Sequence, residues 1–326
     1  MPTLTGYNPP MPQIAQDVLE NRSQTVKTQA RTLGFDACGV ASANAPIDPE
    51  NRLSSWLARG FQADMHWMTR TEAARGDVCE RLPGARSVIV VARNYYSARE
   101  SVPEGSGKVA TYAWGRDYHN VLKKPLRRLA SRVAELEPDA QTYASIDTGP
   151  VLERAWAQRA GVGAIGKNSL ALRRDMGSWF FLATILTTVE LEPDPPAEDL
   201  CGTCTLCLDA CPSSAIVEPY VVDSNRCVSY QTIENRADIP DDMHEHHRDW
   251  IFGCDICQEV CPWNRFQETT TEADFLPRPG HANPNLDDLI TMQEDAFLDE
   301  FTGTPIRRAK HAGMQRNARI ARANQS

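Results

Sequence analysis

The chain has no long apolar run. Stretches such as Val88–Ala92 fall far short of the roughly 20 residues that a membrane-spanning helix needs, so no bilayer span is expected. The opening segment, MPTLTGYNPPMP, has neither a basic start nor an apolar centre, and no twin arginine opens the chain. No secretory signal is therefore expected. A cytoplasmic chain with reduced thiols follows, and its ten cysteines are not read as a disulfide framework. Net positive charge is missing too. The total is −9, which argues against a general nucleic-acid binder.

The chain does have a concentration of cysteine. Eight of the ten lie between residues 201 and 262. The first run is Cys201-x2-Cys204-x2-Cys207-x3-Cys211-Pro212, the bacterial ferredoxin spacing, in which the fourth cysteine ligates the other cluster. A second run, Cys254-x2-Cys257-x3-Cys261-Pro262, lacks one member, and Cys227 is available to replace it. Three cysteines at x2 intervals wrap a tight turn around one face of a cubane. The x3 step then carries the chain toward a second one. The crossed rule gives cluster one to Cys201, Cys204, Cys207 and Cys261, and cluster two to Cys211, Cys227, Cys254 and Cys257. The alternative is a pair of zinc sites, since CxxC knuckles also hold zinc, but zinc knuckles rarely combine three x2-spaced cysteines with a Cys-Pro. Two [4Fe–4S] clusters in one module mean electron transfer.

Around this module, residues 12–33 read as an amphipathic helix that Gly34 stops, and residues 35–41 as a buried strand holding Cys38 in the core. Trp56, Leu57 and Trp67 fall in a second helical region, and Cys79 is assigned no role. Residues 87–96, 142–146 and 178–188 read as strands, and so do residues 110–114, which deliver Gly115 to His119 at their end. Leu122, Leu126, Leu129, Val133 and Leu136 form a helical stripe, with Pro125 near the helix start or kinking it. Asp147 follows a strand and precedes a helix, where it serves either as a ligand-facing acid or as a helix cap. Gly161-Val162-Gly163-Ala164-Ile165-Gly166 is a literal GxGxxG, but a helix precedes it where the dinucleotide fingerprint needs a strand, so it is rejected. Residues 192–199 are a Pro-rich acidic linker.

His244, His246 and His247 are read as solvated surface, because cysteines already supply all eight cluster ligands. Residues 267–326 read as short helices resembling paired HEAT-type repeats. From 304 to 326 there are six basic residues and no acidic one, so the rest of the chain is more acidic than its total charge. That tail is either one polyanion contact or a solvated helix face.

Several separated segments together resemble the epoxyqueuosine reductase family: YAWGRDYHNVLKK, IDTGPVLERAWAQRAGVGAIGKNSL, GSWFFLATI, CGTCTLCLDACPSSAI, CVSYQTIENR, FGCDICQEVCPWNRF and TGTPIRRAKHAGMQRNARIA. The resemblance implies an α/β (α+β) nitroreductase-like cobalamin-binding domain over residues 1–192. It implies a ferredoxin-like domain with two [4Fe–4S] clusters over 193–266 and a short all-α HEAT-like segment that binds tRNA over 267–326. It implies reduction of epoxyqueuosine to queuosine in the anticodon loop of tRNA, with Asp147 as proton donor and the clusters feeding electrons to cobalamin. The corrin is expected between the Asp147 loop and cluster one. By the same resemblance, Arg70, Lys167, Ala171, Leu182, Ser229, Cys254 and Asp255 join Asp147 in lining it. Asn235, Arg236, Arg307, Arg308, Lys310 and Arg316 are the implied tRNA contacts. An external carrier such as ferredoxin or flavodoxin is the implied electron donor, and the chain is expected to be a monomer. Family members often continue through more helical repeats, whereas this chain stops soon after ARIARAN. Three other readings compete: a plain two-cluster electron carrier, a cobalamin-dependent reductive dehalogenase, and a tRNA-binding protein whose clusters are structural.

Overall fold

A computed structural model describes residues 13–48 and 50–325; residues 1–12, which include the expected helix start and the segment searched for a signal, lie outside the described residues. A helix, Gln13–Thr32, leads through Gly34 into the strand Ala37–Ser42. That strand pairs antiparallel with Ser87–Asn94, Cys38 lying opposite Val91. Ser87–Asn94 pairs antiparallel with Phe180–Thr187, which also takes Thr142–Ser145 on its other edge. The result is one four-stranded antiparallel sheet whose two central strands are its most continuously apolar segments.

Side chains alternate across a strand, so each central strand feeds two cores. Ile89, Val91, Ala183 and Ile185 face one core with Val26 and Ala30 of the first helix and Leu122, Leu126, Leu129 and Val133 of Tyr118–Ala134. Pro125 lies inside that helix rather than at its start. Val88, Val90, Ala92 and Leu186 face the other core, which Trp156 and Ala157 of the helix Glu153–Arg159 fill with Val78 and Leu82. Trp156 is fully buried, and truncating such a residue costs about 3–5 kcal/mol.

The GxGxxG segment runs from that helix into a two-stranded hairpin, Ala164–Ile165 with Ala171–Leu172, which is no dinucleotide-binding turn. Gly161 has φ +68°, and a Cβ there would meet the Pro195 carbonyl at 2.5 Å. Only glycine fits so close an approach of two backbones.

Residues 110–114 are not a strand. Strand pairing stops at Val109, where Lys108–Val109 lies parallel to Trp250–Phe252, and Thr111–Ala113 is a 3-10 turn. The cause lies far along the chain. The Asp255 carboxylate accepts both the Thr111 amide and its hydroxyl at 2.8 Å, so this amide has a side-chain partner in place of a strand.

The last helices, Leu286–Thr291, Glu294–Glu300 and Lys310–Asn324, close a third core with Val109, Trp114, Ile251 and Phe252. Inside it Asn317 is fully buried and donates to the Thr232 and Ile251 carbonyls at 2.9 Å each. His247 is also fully buried, against the expectation of a solvated face. Met243 on its helix packs with Ile320 of the C-terminal helix, which covers this side. Among the described residues, no helix is long and apolar enough to cross a membrane.

Candidate functional site

Asp147 stands on the loop between Thr142–Ser145 and Glu153–Arg159, in the left-handed region at φ +58°. The loop is tight. A Cβ on Gly149 would lie 2.3 Å from Ser145 Oγ, the atom that accepts the Gly149 amide at 3.1 Å. The cap alternative does not hold: the helix begins six residues later, with Leu152 at its N-cap position.

The Asp147 side chain is 64% exposed. Tyr118 donates its hydroxyl to Asp147 Oδ2 at 2.7 Å, and His119 Nε2 lies 3.8 Å from the same oxygen. The two rings stack, with centroids 4.1 Å apart. His119 Nδ1 pairs with Asp117 at 2.7 Å, while its Nε2 is buried with no hydrogen-bond partner. From below, the Asp147 amide donates to Glu153 Oε1 at 2.9 Å. Desolvation, then the negative Asp147, push the half-buried Glu153 carboxyl up to about 8. Arg75 and Arg154 face the same two carboxyls; desolvation lowers the pKa of each, and the two acids oppose this. Arg154 also donates to the Ser169 carbonyl, which ties this helix to the hairpin loop.

The cysteines fall into two sets. Cys201, Cys204, Cys207 and Cys261 line one cavity together with Lys167, Leu206 and Trp263. Cys227 lies within electrostatic reach of Cys211, Cys254 and Cys257, and Cys257 also of Cys211 and of Cys207 in the first set. All ten thiols are free. Among the described residues, no three His, Cys, Asp or Glu side chains converge on one point as they would around a single metal ion. A cubane differs in that each thiolate takes its own iron. The chain also points amides at these sulfurs, from Lys167 to Cys201 at 3.4 Å and from Ala215 to Cys211 at 3.2 Å. Such bonds stabilise cluster-bound thiolates and tune their potentials. Burial pushes the Cys207 thiol up to about 11, so binding there requires iron to displace the proton.

A packed route joins Asp147 to one set. Tyr118 meets Tyr112 with centroids at 6.3 Å, and Tyr112 packs on the cluster of Ala110, Val228, Trp250 and Ile256, against which Cys254 also rests. That route reaches the second thiol set, whereas the corrin was expected beside the first.

Other sequence-derived positions scatter in role. Lys167 commits its ammonium to the Gly202 and Cys204 carbonyls, at 2.7 and 2.9 Å, and so holds the first cysteine loop. Asp255 is buried on Thr111 and Arg99, and desolvation raises its carboxyl to about 6. Ala171 is buried in the hairpin and Leu182 is half-buried in the sheet. Ser229 lies in the helix Val228–Ile233, and Arg70 is exposed at the end of His66–Arg70.

The implied tRNA residues divide as well. Asn235 is buried and bonds Gln231 and the Ala237 amide, so its side chain does not face solvent. Arg316 donates to the carbonyls of Gln231, Asn235 and Ala237 and fastens the last helix to that turn. Arg236, Arg307, Arg308 and Lys310 are exposed. Arg308 pairs with Glu234 at 2.7 Å, sits over the Trp67 ring, and lies within electrostatic reach of Asp147. The roles of Tyr118, His119, Glu153, Arg75 and Arg154 were not legible in the sequence. Four of the five lie in the YAWGRDYHN and IDTGPVLERAWA segments, which was the one available signal.

Residues 75–148 match the family model described as "Epoxyqueuosine reductase QueG, DUF1730", and residues 200–264 match "4Fe-4S double cluster binding domain". An epoxyqueuosine reductase of Synechocystis sp. is 49% identical over 285 residues, covering 86% of this chain and 98% of the relative. The chain belongs to the epoxyqueuosine reductase family. A second member, from Gloeobacter violaceus, is 45% identical over 306 residues, 91% of this chain and 94% of its own length. Among solved structures, an epoxyqueuosine reductase with an epoxyqueuosine-modified tRNA-Tyr stem loop superposes at TM-score 0.84 and 30% identity, covering 93% of this chain and 81% of that one. A Bacillus subtilis epoxyqueuosine reductase, described with its catalytic aspartate loop swung out of the active site, gives TM-score 0.85 at 30% identity, with the same coverage. Membership makes the chain an oxidoreductase with an iron–sulfur double-cluster domain. The zinc reading and the non-enzyme readings fall away.

Proposed function

We propose that this chain reduces epoxyqueuosine to queuosine in the anticodon loop of tRNA, the last step of queuosine biosynthesis, with Asp147 as the proton donor. The observation that carries this is Asp147 itself. It is an exposed carboxyl on a strained loop, held by Tyr118 and backed by packed aromatic rings that lead to Cys254. The reaction takes two electrons and two protons. Both C–O bonds of the epoxide break, a carbon–carbon double bond forms, and the oxygen leaves as water. A departing oxygen needs an acid at hydrogen-bond distance, and an exposed carboxyl can recharge from solvent between turnovers.

Cys201, Cys204, Cys207 and Cys261 would hold one [4Fe–4S] cluster and Cys211, Cys227, Cys254 and Cys257 the other, in the crossed arrangement, and the pair would supply electron transfer from an external ferredoxin- or flavodoxin-type carrier. Cobalamin is the second cofactor of this reading. The residues fit a large polar-rimmed group. The buried Nε2 of His119 has no protein partner, and the half-buried Arg75 and the exposed Arg154 bring cations to the same two carboxyls. Arg70, Lys167, Ala171, Leu182, Ser229, Cys254 and Asp255 would wall it. Bound there, cobalamin supplies the metal-centred reduction that no side chain can perform. The chain's own residues orient the base, exclude water from the stacked Tyr118–His119 side and deliver the proton from Asp147.

In this reading residues 1–192 form the nitroreductase-like domain, 193–266 the ferredoxin-like one and 267–326 the HEAT-like tRNA-binding segment, in a cytoplasmic monomer. The test is anaerobic reaction of reconstituted protein with epoxyqueuosine tRNA, cobalamin and a strong reductant, followed by nucleoside mass spectrometry. The modified nucleoside loses one oxygen only when cobalamin is present. Asp147→Asn abolishes the loss while both clusters remain. Full activity in that variant refutes the proton-donor role.

A further inference from the structure

The outer face of the helix Tyr118–Ala134 carries a charged stripe that the reading above leaves unused. Asn120, Lys123, Lys124, Arg127, Arg128 and Ser131 line one shallow depression. Their spacing places them on one side of the helix, opposite the buried Leu122, Leu126, Leu129 and Val133. At 1.5 Å per residue the stripe runs about 16 Å, long enough to follow several successive phosphates of one strand.

All four cations are exposed, and among the described residues none has a carboxylate within ion-pair distance. Other basic residues nearby are already engaged. Arg132 on the same helix pairs with Glu135, and Arg22 on the neighbouring helix pairs with Glu137. Four unpaired cations side by side make a locally positive patch on a chain whose net charge is −9. The stripe also has a direction. Its first residue follows His119, and the helix begins at Tyr118, whose hydroxyl holds Asp147 at 2.7 Å.

We propose that this stripe is a second phosphate-binding track for the tRNA, separate from the C-terminal basic residues, leading away from the reacting base along the sugar–phosphate backbone. The proposal rests on the tRNA reading above. The chemistry favours RNA backbone over an acidic protein. The depression holds only Lys, Arg, Asn and Ser, groups that bind phosphate. It has no apolar or aromatic anchor, which a protein interface needs at its centre. It also has no aromatic ring on which to stack a base, so it contributes affinity without sequence preference.

The test replaces all four cations, Lys123→Gln, Lys124→Gln, Arg127→Gln and Arg128→Gln, in the cluster-loaded full chain. Filter binding of epoxyqueuosine tRNA is then titrated with salt. Affinity at low salt falls about 10- to 100-fold. The slope of log affinity against log salt becomes shallower by about 2 to 3, at roughly 0.7 for each phosphate no longer neutralised. The weaker binding shows as a raised KM for tRNA. Lys123→Arg with Lys124→Arg keeps the charge and the affinity. Iron content and melting temperature establish that the variants are folded. Unchanged affinity and slope in the fourfold variant, beside a wild type that deoxygenates the tRNA, overturn the stripe alone. A raised KM for an acidic electron carrier with tRNA binding unmoved also overturns it and gives the surface to a protein. A wild type that neither binds nor deoxygenates the tRNA overturns the functional reading, and the stripe with it.

Discussion

Replacing Glu153 with Gln isolates the electrostatic load beneath the reactive loop. Glu153 accepts the Asp147 amide through Oε1, and a glutamine oxygen of the same shape can accept it too. The loop is therefore kept while the titration is removed. Desolvation and the neighbouring Asp147 push the Glu153 carboxyl from its ordinary 4.5 up to about 8. A group whose folded pKa is raised binds a proton on folding. Wild-type stability is thus highest below the unfolded value and falls as pH rises through the folded one. The whole shift corresponds to about 5 kcal/mol at 1.36 kcal/mol per unit. The cleft is open to water, which screens the interaction, so about 1–3 kcal/mol is expected. The Gln variant carries no such load. Its melting temperature matches wild type near pH 5 and exceeds it by about 2–4 °C at pH 8.5, at roughly 1.5 °C per kcal/mol for a chain of 326 residues. The assay is paired thermal melts of cluster-loaded protein in matched buffers. Melting curves that stay parallel from pH 5 to 8.5 would show that this carboxyl is not desolvated, and the account of the loop would be wrong.

The crossed cluster assignment makes an unusual demand: Cys211→Ala, in the first cysteine run, removes the second cluster, and Cys261→Ala, in the second run, removes the first. Iron counting with electron paramagnetic resonance separates this from the uncrossed alternative, in which each run loses its own cluster. Asn317→Ala removes two buried hydrogen bonds and leaves two carbonyls unpaired, costing about 2–4 kcal/mol, read as a lower melting temperature with the iron content retained. Neutralising Arg307, Arg308 and Lys310 together weakens tRNA binding and flattens its salt dependence in a filter-binding titration. Arg308 contributes least of the three, because Glu234 already holds it with three hydrogen bonds.

What could be read in advance was what local chemistry dictates. Cysteine spacing is legible because a cubane imposes it on the chain that wraps it. Ser87–Asn94 and Phe180–Thr187 are legible because a strand buried on both faces must be apolar throughout. The errors all involve partners distant in sequence. Residues 110–114 have strand-forming composition, but their turn is made by Asp255, 144 positions away. His247 lies in an acidic, histidine-rich segment that looks solvated, and only the docking of the last helix over Met243 buries it. Composition alone also misjudges the basic tail. Its charges are counted alike in sequence, yet Arg316 is committed to three backbone carbonyls and Arg308 to a carboxylate, while Arg307 and Lys310 stay exposed. A formal charge is available to a polyanion only if folding leaves it unpaired. By that criterion the helix after His119, with four adjacent cations and no acid beside them, has a stronger claim to RNA than much of the tail.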